Sequence, residues 1–132
     1  MVERRKFVRF DTRLPVTYRV LPGPGPTLAR AGAGTAAVAS ATKDVSGGGM
    51  CLFVAEELPA KTILLLDLSL PGREQPISAS GEVVSCVRST LHARAGTSRT
   101  IEAWIRFLQM EPDDRQAIMS YVAANLQAFP SE

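Results

Sequence analysis

The chain has 132 residues, of which 45% are hydrophobic and 21% charged, and these values fit one globular domain and exclude a disordered chain. Its formal net charge of +2 is too small to predict nucleic-acid binding through the overall electrostatic field. Residues 1–13 lack the apolar stretch of a signal peptide, and the longest apolar run, residues 63–66, is too short to span a bilayer. We therefore expect a cytoplasmic protein without membrane insertion.

Four cations crowd into the first nine residues, among apolar side chains. A solvated basic tail explains the charge but gives no role to Phe7, Val8 and Phe10, which would dock the segment on a folded surface. Two of the cations, Arg5 and Arg9, are four residues apart, and each presents a planar fork that binds a phosphate or a guanine edge with two hydrogen bonds. Taken alone, the segment is open to both interpretations, a tail or half of an anion site.

Six short segments have the composition of strands, and turn residues separate them. Between the first two, the segment at residues 21–34 contains proline alternating with glycine at 22–26, which predicts a long exposed loop. Residues 88–99 are rich in Ser, Thr, Ala and Gly, and we expect a second loop there. The last strand alternates an apolar face with a face that carries Glu102, Trp104 and Arg106. The predicted strands cover residues 14–20, 35–46, 50–55, 62–70, 77–87 and 100–110.

A single helix is predicted for residues 111–129. Pro112 suits the first helical position, and two aspartates follow it at the positive end of the helix dipole. Ile118, Val122 and Leu126 recur every four residues, so we expect one face of the helix to pack on the strands. Six strands without intervening helices predict a mainly β fold, a six-stranded antiparallel β-barrel with a C-terminal α-helix.

The turn at residues 44–49 has the sequence DVSGGG. As a plain β-turn it needs no further explanation, because Asp and Ser bond to the local backbone and glycine permits positive φ. As a binding site, Asp44 would accept hydrogen bonds from a guanine, Ser46 would donate to a phosphate, and Gly49 would leave space for a ligand. No catalytic set, phosphate-binding loop or metal motif accompanies the turn.

The spacing Arg5-x-x-x-Arg9 followed by Asp44-x-Ser46-x-x-Gly49 resembles the paired motifs of the PilZ domain family, bacterial receptor modules for cyclic di-GMP. The similarity extends to LPV in the first strand, GEVV in a later strand, and a last strand before a C-terminal helix. It implies a PilZ-type barrel in which the two arginines clasp phosphates and guanine edges while the turn completes the guanine site.

The resemblance also implies a division of the chain and a set of ligand-binding residues. One PilZ-like domain would cover residues 1–132, with a flexible arginine arm at 1–13, the barrel at 14–110 and the helix at 111–129. Arg4, just before the arginine motif, stands where family members often add a contact. The expected ligand-binding residues are Arg4, Arg5, Arg9, Asp44, Ser46 and Gly49.

One residue near these motifs departs from the family pattern. Trp104 stands where family members commonly have glycine, and it either stacks on a base or packs on the barrel.

We therefore expect a non-catalytic receptor or adaptor that binds cyclic di-GMP, switches conformation, and offers a changed surface to an unidentified effector protein. No other cofactor, no metal and no nucleic-acid partner is expected. Two alternatives stay open. One is a protein-interaction scaffold of the same fold that needs no ligand. The other is a small β-barrel that binds single-stranded nucleic acid, although only 6% of the residues are aromatic and such proteins stack bases on aromatic rings.

Overall fold

A computed structural model describes residues 9–21, 36–94 and 96–127 of the chain. The predicted Pro/Gly loop lies almost entirely outside these residues, as do Arg4, Arg5, Phe7 and Val8. The described elements are β1 (Phe10–Asp11), β2 (Pro15–Val20), β3 (Val38–Val45), β4 (Gly49–Phe53), β5 (Ile63–Leu68), β6 (Ile77–Ala93), β7 (Gly96–Met110) and α1 (Pro112–Gln127).

The six longer strands close into an antiparallel barrel, which confirms the predicted fold class. They pair in the order β3-β2-β5-β6-β7-β4, and a pairing between β3 and β4 closes the ring. Short turns join β3 to β4 and β6 to β7, as antiparallel pairing allows. The seventh strand, β1, pairs with the part of β3 that β2 leaves free, so β1 and β2 follow one another along the same edge of β3.

The hydroxyl group of Thr42 hydrogen-bonds to the backbone of the segment that connects β1 to β2. The Oγ1 of the fully buried Thr42 accepts a hydrogen bond from the Leu14 backbone N–H at 2.9 Å and donates one to the Thr12 carbonyl at 2.5 Å. The Leu14 carbonyl in turn accepts from the Thr42 backbone N–H at 3.0 Å. The backbone groups that leave the strand ladder here are therefore satisfied, and β1 lies in a fixed register against β3.

Alternate residues of each strand point into the barrel, and α1 adds to the same core. On β5, for example, Leu64, Leu66 and Leu68 are at most 2% exposed. Ile118 and Val122 of the helix belong to this core, as the four-residue spacing predicts. Leu126 is 41% exposed, so the predicted packing face of the helix ends one turn early. Among the described residues, no helix is long and apolar enough to cross a membrane.

Phe10 of β1 contacts the helix. Its ring meets the Tyr121 ring edge-on, with 6.0 Å between centroids, and the Tyr121 hydroxyl lies 3.4 Å from the hydroxyl of Thr12. Part of the predicted arm, residues 9–13, thus lies against both the barrel and the helix in this structure.

The prediction of a loop at residues 88–99 is wrong. The strands β6 and β7 continue as a two-stranded ribbon, in register from Arg88↔Ile101 to Ala93↔Gly96. The sequence does not indicate these strands, because the described side chains of the ribbon are exposed on both faces and no alternation of apolar and polar residues marks them as sheet. Its three threonines, Thr90, Thr97 and Thr100, nevertheless favour extended backbone.

Candidate functional site

A row of cross-strand partners forms the floor of the site on the outer face of the barrel. Cys51 of β4 pairs with Asp44 of β3 on one side and with Trp104 of β7 on the other. Trp104 in turn pairs with Ser85 of β6. Directly paired residues share a face of the sheet, so the row brings a carboxylate and an indole close together with only a small thiol between them.

Two β-bulges flank this row and re-aim side chains toward it. The register between β3 and β4 shifts between Thr42 and Asp44, and the register between β6 and β7 shifts between Val83 and Ser85. A bulge sets two residues of one strand against one residue of its partner. Val84 is therefore directed outward beside Ser85 and is 54% exposed, which is unusual for a valine in a strand.

The turn after β3 is built by Ser46. Its Oγ accepts hydrogen bonds from the backbone N–H groups of Gly48 and Gly49, at 3.1 and 3.2 Å. Its backbone N–H donates to the Gly49 carbonyl at 2.9 Å, and its hydroxyl proton reaches the same carbonyl at 3.3 Å. The serine therefore fixes the turn through its own hydrogen bonds, as expected for this residue in a tight turn.

Gly49 is required by the backbone. A Cβ atom at this position would overlap the carbonyl oxygen of Ile105 on the neighbouring strand β7. The motif predicted that Gly49 leaves space for a ligand, whereas the close pairing of β4 with β7 by itself already requires a glycine at this position.

Arg9 lies over the floor of the site, at the start of the described part of the arm. Its guanidinium carbon is 4.7 Å from the centroid of the Trp104 ring, a cation–π geometry. Its Nη1 is 3.8 Å from Oδ2 of Asp44, which is an ion pair but too long for a hydrogen bond. The pairing of β1 with β3 brings Arg9 to this position.

Asp44 is only 4% exposed, and its Oδ1 has no hydrogen-bond partner within the described residues. Burial raises the pKa of the Asp44 carboxyl above its usual value, although the neighbouring Arg9 guanidinium opposes the rise. Burial, together with Asp44 and Glu102, raises the pKa of the Cys51 thiol to about 12, so the centre of the floor is uncharged at neutral pH.

These groups surround an open cavity of about 310 Å³. Four of the predicted site residues, Arg9, Asp44, Ser46 and Gly49, line it. Arg4 and Arg5 lie outside the described residues. The sequence did not identify Val84, Ser85 and Arg106 as lining residues, because their placement depends on the strand register and the second bulge.

Two arginines connect the site to its surroundings. Arg106 pairs with Gly49 across the strands and forms an ion pair with Glu82 at the cavity wall. Arg115 of α1 donates a hydrogen bond to the carbonyl of Gly47, which ties the helix to the turn. Within residues 9–21, 36–94 and 96–127, no cluster of His, Cys, Asp or Glu has the arrangement of a metal site.

Comparisons with known proteins give one family and several solved structures. The family model of the PilZ domain matches residues 3–124. No curated protein sequence matches the chain.

Three solved structures illustrate the structural similarity. The Bacillus subtilis inhibitor of motility MotI/DgrA superposes with a TM-score of 0.70 at 17% identity, over 98% of this chain and 55% of that one. The PilZ domain of YcgR from Escherichia coli, solved with c-di-GMP, gives a TM-score of 0.64 at 14% identity, over 96% of both chains. The K. pneumonia MrkH–c-di-GMP complex gives a TM-score of 0.64 at 18% identity, over 96% of this chain and 54% of that one.

At these identities the structural similarity establishes the fold. The chain spans about half the length of MotI and MrkH and nearly all of the YcgR domain. The family model covers most of the sequence, including the arginine pair Arg5 and Arg9 and the turn at residues 44–49. The chain therefore belongs to the PilZ domain family.

Proposed function

We propose that this chain binds cyclic di-GMP as a non-catalytic receptor domain, in the cavity that Arg9, Asp44 and the turn at residues 46–49 line. One observation carries the proposal: at the same cavity, a guanidinium meets a buried carboxylate of which one oxygen has no hydrogen-bond partner among the described residues. Cyclic di-GMP offers complementary groups, two phosphodiester anions and two guanines whose N–H groups donate. Two of the structural neighbours, YcgR and MrkH, are c-di-GMP complexes, which supports the same ligand class.

Oδ1 of Asp44, which has no hydrogen-bond partner in the described part of the chain, explains why a guanine edge would bind there. A buried acceptor without a donor costs about 1–3 kcal/mol, and a guanine N–H would remove that cost. Ser46 can contribute as well, because its proton makes only a long hydrogen bond of 3.3 Å and can turn to a phosphate without loss of the turn.

The arginines would supply the charge-assisted contacts. Arg9 is held by a cation–π contact and by an ion pair of 3.8 Å, both of which a phosphate can replace with shorter hydrogen bonds. Arg5 would provide a second fork and Arg4 an optional third contact, as the family resemblance implies.

The same contacts would make the ligand a switch. Cyclic di-GMP would link the residues before β1 to the barrel and so change the surface that an effector protein meets. In this proposal residues 1–132 act as one domain, with residues 1–13 as the arm, 14–110 as the barrel and 111–129 as the helix.

A calorimetric titration with cyclic di-GMP tests the proposal. We expect the wild-type chain to bind, and Arg5→Ala, Arg9→Ala and Asp44→Asn to weaken binding roughly 10- to 150-fold each, since a hydrogen bond to a charged group contributes about 1.5–3 kcal/mol. Arg73→Ala is the matched control, because Arg73 forms its ion pair with Asp114 away from the cavity. Absence of wild-type binding, or equal affinity in all four variants, would contradict the proposal.

A further inference from the structure

Trp104 lies on the outer face of the barrel, and its large ring does not pack in the core. The neighbours of Trp104 along β7, Ala103 and Ile105, point into the core, whereas Trp104 stays half-buried on the outer face and is not part of the core. It lines the cavity described above and is the only tryptophan of the chain. Packing of the core therefore does not account for an indole at this position.

The strand partners of Trp104 leave its ring accessible from the cavity. Cys51 and Ser85, which pair with it on either side, have short side chains that do not reach across an indole. The bulge in β6 adds the exposed Val84 at the same wall. The described group that lies over the ring is the guanidinium of Arg9, at 4.7 Å from the ring centroid.

Resting on the function proposed above, we propose that Trp104 is a ligand-contacting residue of the site and that its ring stacks on a guanine of cyclic di-GMP. In the structure, the planar guanidinium of Arg9 occupies that stacking position. Ligand binding exchanges the two partners: a guanine takes the ring face, and Arg9 moves to a phosphate.

Replacement of the Arg9 guanidinium by a guanine over the Trp104 ring is favourable for both the indole and the guanidinium. A guanidinium and a guanine are both flat and polarisable, so the same ring face accepts either of them. The displaced guanidinium gains charge-assisted hydrogen bonds to a phosphate, which are stronger than its 3.8 Å contact with Asp44. The apolar wall formed by Trp104 and Val84 complements the polar side of the cavity, where Asp44 and Ser46 lie.

The test is a titration of three variants with cyclic di-GMP, with a built-in control. Trp104→Leu is expected to weaken binding roughly 5- to 150-fold, the usual effect of removing an aromatic platform from a base, while Trp104→Phe retains most of the affinity. Phe53→Leu is the matched control, because Arg13 lies 4.8 Å over the Phe53 ring, a second cation–π pair that does not line the cavity.

Fluorescence separates stacking from a merely structural role. Trp104 is the sole indole fluorophore, and a guanine stacked on it is expected to quench its emission as cyclic di-GMP is added. If the wild type binds without a change in emission, or if Trp104→Leu binds as tightly as Phe53→Leu, the inference is overturned while the proposed function stands. If the wild type does not bind cyclic di-GMP at all, the proposed function fails first.

Discussion

Asp44 and Trp104 lie on opposite sides of Cys51, because β4 pairs with β3 along one edge and with β7 along the other. The carboxylate and the indole come from distant parts of the sequence, and only the small side chain of Cys51 lies between them on this face of the sheet. The geometry of the candidate site therefore depends on the size of a residue that carries no charge and makes no expected contact with a ligand.

The size of residue 51 is the first testable feature. Cys51 is fully buried, so Cys51→Leu is expected to overpack the floor, reduce the free energy of unfolding by about 1–3 kcal/mol, and weaken cyclic di-GMP binding by pushing Asp44 and Trp104 apart. Cys51→Ala should keep the affinity. Urea unfolding and calorimetry measure both effects, and a Leu variant with wild-type affinity would show that the gap does not matter.

The raised pKa of Asp44 predicts a pH dependence of stability. Because burial raises this pKa above its ordinary value of 3.8, the folded protein keeps a proton on Asp44 at pH values where the unfolded chain has lost it. The stabilising contribution of the protonated form is therefore lost as pH rises from 3.8 through the folded pKa.

Asp44→Asn, which does not ionise, is the variant that isolates this contribution. We expect its stability relative to the wild type to rise with pH across that window and to level off above it, as measured by thermal unfolding from acidic to neutral pH. The exposed Asp67→Asn variant is the control. A difference between Asp44→Asn and wild type that stays constant over the whole range would contradict the assignment.

How far the sequence determines the site can be judged from particular residues. The spacing of Arg5, Arg9 and the Asp44–Gly49 turn indicated the family, and alternation along β7 correctly set Trp104 opposite the core face. The position of Val84 could not be predicted, because a bulge inserts one residue without any signal in composition. The contact of Arg9 with Trp104 depends on the registers of β1, β3, β4 and β7 together, which local patterns do not specify.

Thr42 is expected to control the position of Arg9 through the backbone. Thr42→Val keeps the shape of the side chain but leaves the Leu14 N–H and the Thr12 carbonyl without their partner, which should cost roughly 2–4 kcal/mol of unfolding free energy. The register of β1 would loosen, so affinity for cyclic di-GMP should fall as well. Ser40→Ala, which removes a single hydrogen bond to the Phe53 carbonyl, is the control and should leave affinity unchanged. Equal effects of the two variants on binding would contradict this role.

Gly49→Ala is expected to be far more costly than Gly72→Ala. Its Cβ would meet the Ile105 carbonyl, a backbone atom that cannot move aside without breaking the pairing of β4 with β7. We expect a loss of about 3 kcal/mol and a Tm lower by roughly 10 °C. Gly72→Ala provides the comparison, since Gly72 has a positive φ of 85° but open space around it, and should cost only about 1 kcal/mol. Similar Tm values for the two variants would show that β7 can yield at Ile105.

Arg115 is expected to couple the helix to the ligand-binding turn. Its hydrogen bond to the Gly47 carbonyl joins α1 to the turn that Ser46 builds, so Arg115→Met should loosen the turn while the long apolar side chain preserves helix packing. The expected result is faster amide exchange at Gly48 and Gly49 and a several-fold loss of affinity for cyclic di-GMP. Gln116→Met, one position along on the exposed face, is the control. If amide exchange at the turn is the same in both variants, the helix does not support the site through Arg115.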